Sequence, residues 1–213
     1  MKADLPEVAP ATNKRNPELT RRRLIKAAEK LFAKKGHNGT SIDDICQASG
    51  VNCRMIYHYF GSKDGLYMAV LESVYGRISE IATMANAESK SLAEYIEAIV
   101  DHYFRFLLAN PEFVAILRWE NASGAKGIRQ LNLDEFRDSY VGAACEALSQ
   151  QTGKPASFED GLMVVLTCVS LCGHFFSNQG STSHALGAKL GDPEFAEVWL
   201  VHIKKVAVAY FCQ

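Results

Sequence analysis

The segment TSIDDICQASGVNCRMIYHYFGSK, which begins at Thr40, constrains the fold of this chain more than any other feature. Thr40 or Ser41 is placed to cap a short helix, and Asp43 and Asp44 occupy its first turn, where the helix dipole favours negative charge. Gly50 then provides a left-handed turn, a backbone conformation that glycine adopts at low cost. Two short helices joined by a tight glycine turn are typical of a helix-turn-helix.

The helix after the glycine turn is both polar and aromatic. Asn52 is placed to cap it, the helix runs from Cys53 to about Tyr59, Gly61 ends it and Ser62 caps the next helix. In a helix-turn-helix this second helix enters the major groove of DNA. The segment therefore predicts a motif that binds double-stranded DNA.

One face of this second helix is the candidate for reading base edges. Arg54, Tyr57 and His58 lie together at i, i+3 and i+4 spacing, next to Asn52 and Cys53 at the start of the helix. Arg54 can form a bidentate contact with a guanine, worth about 1 to 3 kcal/mol of discrimination. The alternatives are that Arg54 pairs with a phosphate and that the Tyr57 ring belongs to the core.

Charge is divided unevenly along the chain. Residues 13–63 carry 11 Lys or Arg against four Asp or Glu, whereas residues 64–213 carry 11 against 18. The basic part attracts phosphates and the acidic part repels them, which orients the molecule on DNA. The Arg21 to Arg23 cluster is either an ordinary solvated face or, with Lys14 and Arg15, a contact to the DNA backbone.

Helical periodicity without any convincing strand pattern predicts an all-α fold of about nine helices. An N-terminal helix-turn-helix domain of three helices, at 16–62, follows a mobile arm at 1–15 and is joined to a larger helical domain at 63–213, the body. Besides the motif, the predicted helices are 17–35, 63–86, 91–109, 111–120, 126–151, 158–178 and 193–212. The Gly- and Ser-rich segment 177–192 is the longest predicted loop or irregular segment.

The helix predicted at 158–178 is apolar almost all round, which indicates burial on every side. With the last helix it is suited to a four-helix interface of a homodimer. No apolar run approaches the roughly 18 to 20 residues that cross a bilayer, and the N-terminal sequence lacks a signal-peptide core. We therefore expect a cytoplasmic protein with no membrane partner.

The cysteines and the absence of catalytic motifs limit the kinds of chemistry that the sequence supports. The six cysteines show no paired spacing, which predicts free thiols and no structural disulfide: Cys46, Cys53, Cys145, Cys168, Cys172 and Cys212. Cys168 and Cys172 lie one helical turn apart near His174, but without further ligands they are better explained as core residues than as a metal site. Cys53, on the reading helix, is the alternative candidate for a redox switch. No phosphate loop, nucleophile elbow or paired histidine motif occurs, so we expect no enzyme, no cofactor and no metal.

Several short motifs at fixed spacing resemble the N-terminal signature of TetR-family transcriptional regulators. They are AAEKLF from Ala27, Gly36, TSIDDI from Thr40, Gly50-Val51, and YHYFGSKDGL from Tyr57, and the resemblance covers about residues 18–70. It implies an all-helical homodimer whose recognition helices dock in the major groove and whose divergent body binds a small effector. It also implies that Thr40, Tyr57, Tyr59 and Lys63 contact the DNA backbone. The complete set of predicted DNA-binding residues is Thr40, Asn52, Cys53, Arg54, Tyr57, His58, Tyr59 and Lys63.

The effector is expected in an apolar cavity of the body with a few polar groups. The candidate residues, each of which is alternatively structural, are Tyr103, Phe106, Arg118, Trp119, Asn121, His174, Phe175 and Asn178. They suit either an anionic or polar planar ligand or an apolar one. The sequence thus predicts a sequence-specific DNA-binding regulator, a repressor released from a palindromic operator by an unknown small molecule. The alternatives are a helical ligand-binding protein with only nonspecific DNA binding, and a DNA-binding dimer without an effector.

Overall fold

The computed structural model describes residues 16–212, which form ten α-helices, one short 3-10 helix and no strand. The first six helices are α1 Pro17–Lys35, α2 Ile42–Ser49, α3 Arg54–Phe60, α4 Lys63–Glu88, α5 Leu92–Ala109 and α6 Pro111–Ala122. The 3-10 helix is Ile128–Gln130, and α7 at 134–152 consists of Asp134–Arg137, a π-helical turn Asp138–Gly142, and Ala143–Thr152. The remaining helices are α8 Phe158–Ser177, α9 Gln179–Leu186 and α10 Pro193–Phe211. The arm predicted at 1–15, with Lys14 and Arg15, lies outside the described residues.

The all-α prediction is confirmed, and six helices outside the motif agree with their predicted limits to within two residues. In the head, which we define as α1 to α3, local capping explains why helices begin where the sequence predicts. The Asn16 side chain accepts from two backbone N–H groups of α1, and Ser41 and Asp44 form a reciprocal capping box at the start of α2. Gly36 and Gly50 end these helices with φ values of 70° and 64°.

The prediction of one helix at 126–151 is wrong, because the chain turns sharply after α6. Gly124 and Ala125 have φ values of 80° and 57°, and the carboxylate of Glu120 accepts hydrogen bonds from the backbone N–H groups of Gly127 and Ile128. A Cβ at Gly127 would lie 2.7 Å from a methyl carbon of a buried leucine, so the turn packs closely on α4. These tertiary contacts prevent an α-helix from forming at 126–133, although the sequence has helical periodicity there.

The prediction of a loop throughout 177–192 is also wrong, because α9 occupies its first half. Gly187 ends α9 with φ 66°, and the Ser183 hydroxyl accepts from the backbone N–H of Leu190. The Leu190 side chain is buried and its carbonyl accepts from the Gln179 side chain. Tertiary anchoring thus overrides the weak helix propensity of a segment rich in Gly and Ser.

Helix α8 packs against α5, α7 and α10 through Val164, Cys168, Cys172 and Phe175. Met163 and Leu166 remain 51% and 46% exposed, so the helix is not buried on every side within one chain. Within residues 16–212 it is also the one helix long and apolar enough to cross a membrane by length and composition, contrary to expectation. Core helices meet the same criteria.

The prediction of no disulfide is wrong. Cys46 in α2 and Cys53 just before α3 are joined by a disulfide, with their Cα atoms 5.4 Å apart. The glycine turn brings the two cysteines together, which their spacing of seven residues did not reveal. Cys168 and Cys172 are free and buried in the body, and burial raises the pKa of the Cys168 thiol to about 12.

Two neighbouring residues of α6 join the head to the body. The Trp119 indole N–H donates to the carbonyl oxygen of Ala33 at 3.1 Å, and its ring packs against Gly36. Glu120 is only 3% exposed and accepts from the Tyr67 hydroxyl at 2.7 Å as well as from the turn after α6. Further along α4, Arg77 pairs with Glu29 of α1 at 2.5 Å. Helices α1, α4 and α6 therefore meet in one hydrogen-bonded junction.

Replacing Glu120 should destabilise the protein strongly. In Glu120→Ala, two backbone N–H groups and the Tyr67 hydroxyl lose their acceptor, which we expect to lower the free energy of unfolding by about 3 kcal/mol. Tyr67→Phe removes one of the three donors and should cost about 1 kcal/mol. The neighbouring exposed Asn121→Ala is the control, expected within about 0.5 kcal/mol of the wild type. Urea unfolding measures all three, and an Ala variant as stable as the control would contradict the role of Glu120.

Candidate DNA-binding and effector sites

The predicted reading face is presented to solvent on α3. The side chains of Arg54, Tyr57 and His58 are exposed, Tyr57 by 56%. None of the three makes a side-chain hydrogen bond or an ion pair with any residue in the range 16–212. Three polar or aromatic side chains on one helix face are therefore available to an external partner.

Buried contacts and a cap hold α3 in place behind this face. Ile56 is fully buried, and the half-buried Met55 and Phe60 pack against the same core. The Asn52 side chain accepts from the backbone N–H of Arg54 at 2.9 Å, as the sequence predicted for its capping role. The helix therefore presents Arg54 from a capped first turn.

The arginine cluster of α1 is engaged within the head. Arg23 donates to the carbonyl oxygen of Ser49 at 2.7 Å, at the end of α2. Arg22 pairs with Glu18 at 3.1 Å, and the Arg21 guanidinium lies 5.5 Å from the centre of the Phe60 ring. These partners favour the structural interpretation of the cluster over free contacts to a DNA backbone.

Two residues that are predicted to contact phosphate have polar partners inside the protein. Thr40 is buried, and its hydroxyl donates to the carbonyl oxygens of Gly36 and Leu31 at the end of α1. The Lys63 ammonium donates to the carbonyl oxygens of His37 and Thr40, both at 3.0 Å. The Thr40 hydroxyl is thus engaged within the head, and Lys63 retains one of its three donors.

The other two predicted DNA-binding residues lie at the edge of the reading face. Tyr59 is half-buried, with its ring 5.0 Å from that of His58. Cys53 is half-buried and has its sulfur in the disulfide with Cys46. Ser41, whose capping role sequence analysis left open against Thr40, is the exposed residue at the start of α2.

The eight predicted effector residues do not form one site. Arg118, Trp119 and Asn121 lie near the end of α6, where Trp119 contacts the head. His174, Phe175 and Asn178 lie around the C-terminal end of α8; Phe175 is buried and stacks at 6.0 Å on Trp199. Tyr103 and Phe106 lie inside the body on α5 and remain candidates.

Two tyrosines of the body, the buried Tyr103 and the half-buried Tyr75, have hydroxyl groups without a hydrogen-bond partner among the residues described. The hydroxyls of Tyr75 and Tyr103 form no hydrogen bond among the residues described, whereas those of Tyr95 and Tyr140 donate to carbonyl oxygens at 3.1 and 2.9 Å. Burial, reinforced by nearby Cys172 and Tyr75, raises the pKa of Tyr103, so its hydroxyl stays protonated. Two hydrogen-bonding groups are therefore available inside the body.

Aromatic rings lie beside Tyr75. The Tyr75 ring lies 5.5 Å from that of Phe136 and 6.4 Å from that of Phe113, and Phe113 contacts Phe106 at 5.5 Å. A small cavity of about 180 Å³ opens between α4 and the start of α7, beside Tyr75 and Phe136. Sequence reasoning missed Tyr75, Phe113 and Phe136, because their helical spacing marks them only as core residues.

A larger apolar groove lies on the opposite side of the body. It has a volume of about 780 Å³ and is lined mainly by the end of α7, by α8 and by α10, including Leu148, Met163, Leu171, Val206 and Tyr210. The adjoining outer faces of α8 and α10 expose further apolar side chains, among them Leu166, Val198 and Val201. This surface is the largest grouping of exposed apolar residues along the described chain.

Comparison with known families matches one domain model to the N-terminal part of the chain and another to the body. The family described as bacterial regulatory proteins, tetR family, matches residues 24–70, and a tetracyclin repressor-like C-terminal domain matches residues 93–206. The chain is 32% identical over 197 residues to the HTH-type transcriptional repressor NicS of Pseudomonas putida, covering 89% of this chain and 91% of the relative. It is 31% identical over 106 residues to the HTH-type transcriptional repressor SCO4008 of Streptomyces coelicolor, covering 50% of this chain and 52% of that relative.

Solved structures share the fold at lower identity. The fatty acid degradation regulator FadR from Bacillus halodurans has a TM-score of 0.68 at 17% identity, over 92% of this chain and 97% of that one. FadR from Bacillus subtilis, in complex with stearoyl-CoA, has a TM-score of 0.61 at 16% identity, over 85% and 96% of the two chains. With both domains matched and a relative aligned along most of its length, the chain belongs to the TetR family of helix-turn-helix transcriptional regulators.

Proposed function

We propose that this protein is a homodimeric cytoplasmic repressor that binds a palindromic operator through α3 and is released when a small molecule binds in its body. The observation that carries the proposal is the exposed, unengaged set of Arg54, Tyr57 and His58 on one face of a firmly held helix. Two relatives that are named transcriptional repressors support the direction of the response.

Operator reading is assigned chiefly to Arg54. Its guanidinium can donate two hydrogen bonds to the major-groove edge of a guanine, while Tyr57 and His58 contact neighbouring bases or sugar and phosphate groups. Asn52 and Tyr59, at the margin of the same face, are assigned to the backbone. Because Thr40 and most donors of Lys63 are used within the head, we do not assign DNA contacts to them.

Dimerisation is assigned to the outer faces of α8 and α10. Val198, Val201 and Tyr210 on α10 are 65%, 51% and 71% exposed, and Met163 and Leu166 on α8 are about half exposed. A contiguous apolar surface of this kind on a soluble domain marks an interaction site. A two-fold axis between the α8–α10 pairs of two copies would bury it in a four-helix arrangement and set the two α3 helices at a fixed separation.

Effector binding is assigned to the aromatic region around Tyr75 and Tyr103. The two free hydroxyls and the surrounding rings suit a small planar molecule that carries a hydrogen-bond acceptor. Helix α4 contributes Tyr75 to this region and Arg77 to the ion pair with Glu29 of α1. A ligand that displaces α4 therefore changes the position of the head, and both heads must match the helical repeat of DNA to dock together.

The Arg54→Ala variant should lose affinity for the operator by about 1 to 3 kcal/mol and lose its preference at one base position in each half-site. Selection from a random DNA pool at two salt concentrations measures both effects, with Arg54→Lys as the control that keeps the charge. If Arg54 pairs with a phosphate instead, all sequences should weaken equally and lysine should restore much of the binding. If even the wild type selects no palindrome, the alternative of a helical ligand-binding protein is favoured.

A charge in the proposed dimer surface should separate the subunits. Val201→Glu places a carboxylate in that surface, so we expect a monomer by sedimentation and a loss of operator affinity of roughly 100-fold or more, because the two half-sites are no longer bound together. Met84→Glu is the matched control, since Met84 is also 51% exposed but lies on α4. A Val201→Glu protein that remains dimeric would exclude this interface.

Removal of each tyrosine hydroxyl should distinguish the effector region from the core. Tyr95→Phe loses a hydrogen bond to the carbonyl oxygen of Tyr140 and should lower the free energy of unfolding by about 1 kcal/mol. Tyr103→Phe should leave stability unchanged, because its hydroxyl has no partner within residues 16–212. A panel of monocyclic aromatic acids and amides is then screened by melting temperature, and a molecule that stabilises the wild type should stabilise Tyr103→Phe much less. Equal stabilisation of both proteins would place the effector elsewhere.

A further inference from the structure

The disulfide lies at the centre of the DNA-binding motif, on both sides of its turn. Cys46 belongs to α2 and Cys53 immediately precedes α3, and both residues are half-buried. Their Cα separation of 5.4 Å is within the range that a disulfide spans without backbone movement.

The two helices of the motif are otherwise held by different partners. Helix α2 packs chiefly against α1, and α3 packs chiefly against α4. Helix α3 is only seven residues long, and at its start the Asn52 side chain bonds to the backbone N–H of Arg54, whereas Cys53 makes no side-chain capping bond. In addition to the backbone turn, the disulfide thus cross-links α2 to the residue just before α3, next to Arg54.

We propose that Cys46 and Cys53 form a reversible oxidation site, closed by a hydroperoxide, and that closure tightens operator binding by fixing α3 against α2. The proposal rests on the DNA-binding role assigned to α3. A helix already held in its docking position loses less conformational freedom when it enters the major groove.

The surroundings of Cys46 and Cys53 differ from those of the two buried cysteines of the body. Burial raises the pKa values of Cys168 and Cys172, which keeps these thiols protonated and unreactive. In contrast, Cys46 and Cys53 are only half-buried, so a small oxidant can reach them. Thiols in a compartment kept reducing by small thiols remain open until an oxidant arrives.

The chemistry balances with one hydroperoxide for each pair of thiols. The Cys53 thiolate attacks the terminal oxygen, the O–O bond breaks, and the remaining oxygen leaves as an alcohol (water, for hydrogen peroxide) after taking up a proton. The Cys46 thiolate then attacks the sulfur of the resulting sulfenic acid, the S–O bond breaks, and water leaves. Two thiols are oxidised to one disulfide, and the peroxide oxygens are reduced to an alcohol and water.

The test uses the full-length protein, fully reduced and then treated with hydrogen peroxide. Trypsin releases residues 36–54 as one peptide that contains both cysteines, so the loss of two hydrogens from this peptide reports closure independently of DNA binding. Operator affinity is measured on the same samples. We expect the oxidised wild type to bind its selected operator about three- to tenfold more tightly than the reduced protein.

The Cys46→Ser variant removes the bond without changing the DNA-facing residue. It should bind like the reduced wild type before and after treatment, while Cys212→Ser, which keeps the pair, should respond like the wild type. A residue 36–54 peptide that stays reduced under peroxide would overturn the proposal, as would closure that leaves operator affinity unchanged or weaker. Loss of sequence-selective binding in every sample would instead refute the proposed function, whatever the state of the peptide.

Discussion

A carboxylate with almost no solvent exposure must find its hydrogen-bond donors inside the protein, and Glu120 finds them on two separate segments. The Tyr67 hydroxyl comes from α4, and two backbone N–H groups come from the turn that follows α6. The preceding residue, Trp119, donates to the end of α1. These two consecutive side chains fix α1, α4 and α6 relative to each other, so the position of the head depends on the packing of the body.

The parts of the fold that were predictable from sequence are those governed by local interactions. Asn16, Ser41 and Asn52 cap helices by bonding to backbone groups two or three residues away, and Gly50 supplies the left-handed turn. The segment after α6 was mispredicted because its turn depends on hydrogen bonds to Glu120. One donor, Tyr67, is distant from Glu120 in the sequence, and the others lie beyond a bend that no sequence pattern indicates. The Cys46–Cys53 bond escaped prediction for a related reason, since a scan for paired spacing takes no account of the turn.

The same distinction between local and tertiary interactions applies to the candidate sites. The exposed face of α3 follows directly from helical periodicity, and Arg54, Tyr57 and His58 are where the sequence places them. Which tyrosine hydroxyls are satisfied cannot be read from the sequence, because Tyr95 and Tyr140 bond to carbonyl groups on other helices while Tyr75 and Tyr103 have no such partner within the described chain. Polar and aromatic residues such as Trp119 and Phe175 resemble ligand contacts in the sequence, but they are used for packing.

Some basic side chains of the head pair with groups of the protein itself, and this affects how the protein searches a genome. Arg22, Arg23, Lys35 and Lys63 all have carboxylate or carbonyl partners within the head, so the surplus of basic residues overstates the charge free to displace counterions. Nonspecific retention on DNA scales with the number of phosphates neutralised. Lys26, Lys30, Lys34 and Arg54 have no such partner among the described residues and are free to contact phosphates. Nonspecific retention therefore falls short of what the count of basic residues predicts, and base readout by α3 distinguishes the operator from other DNA.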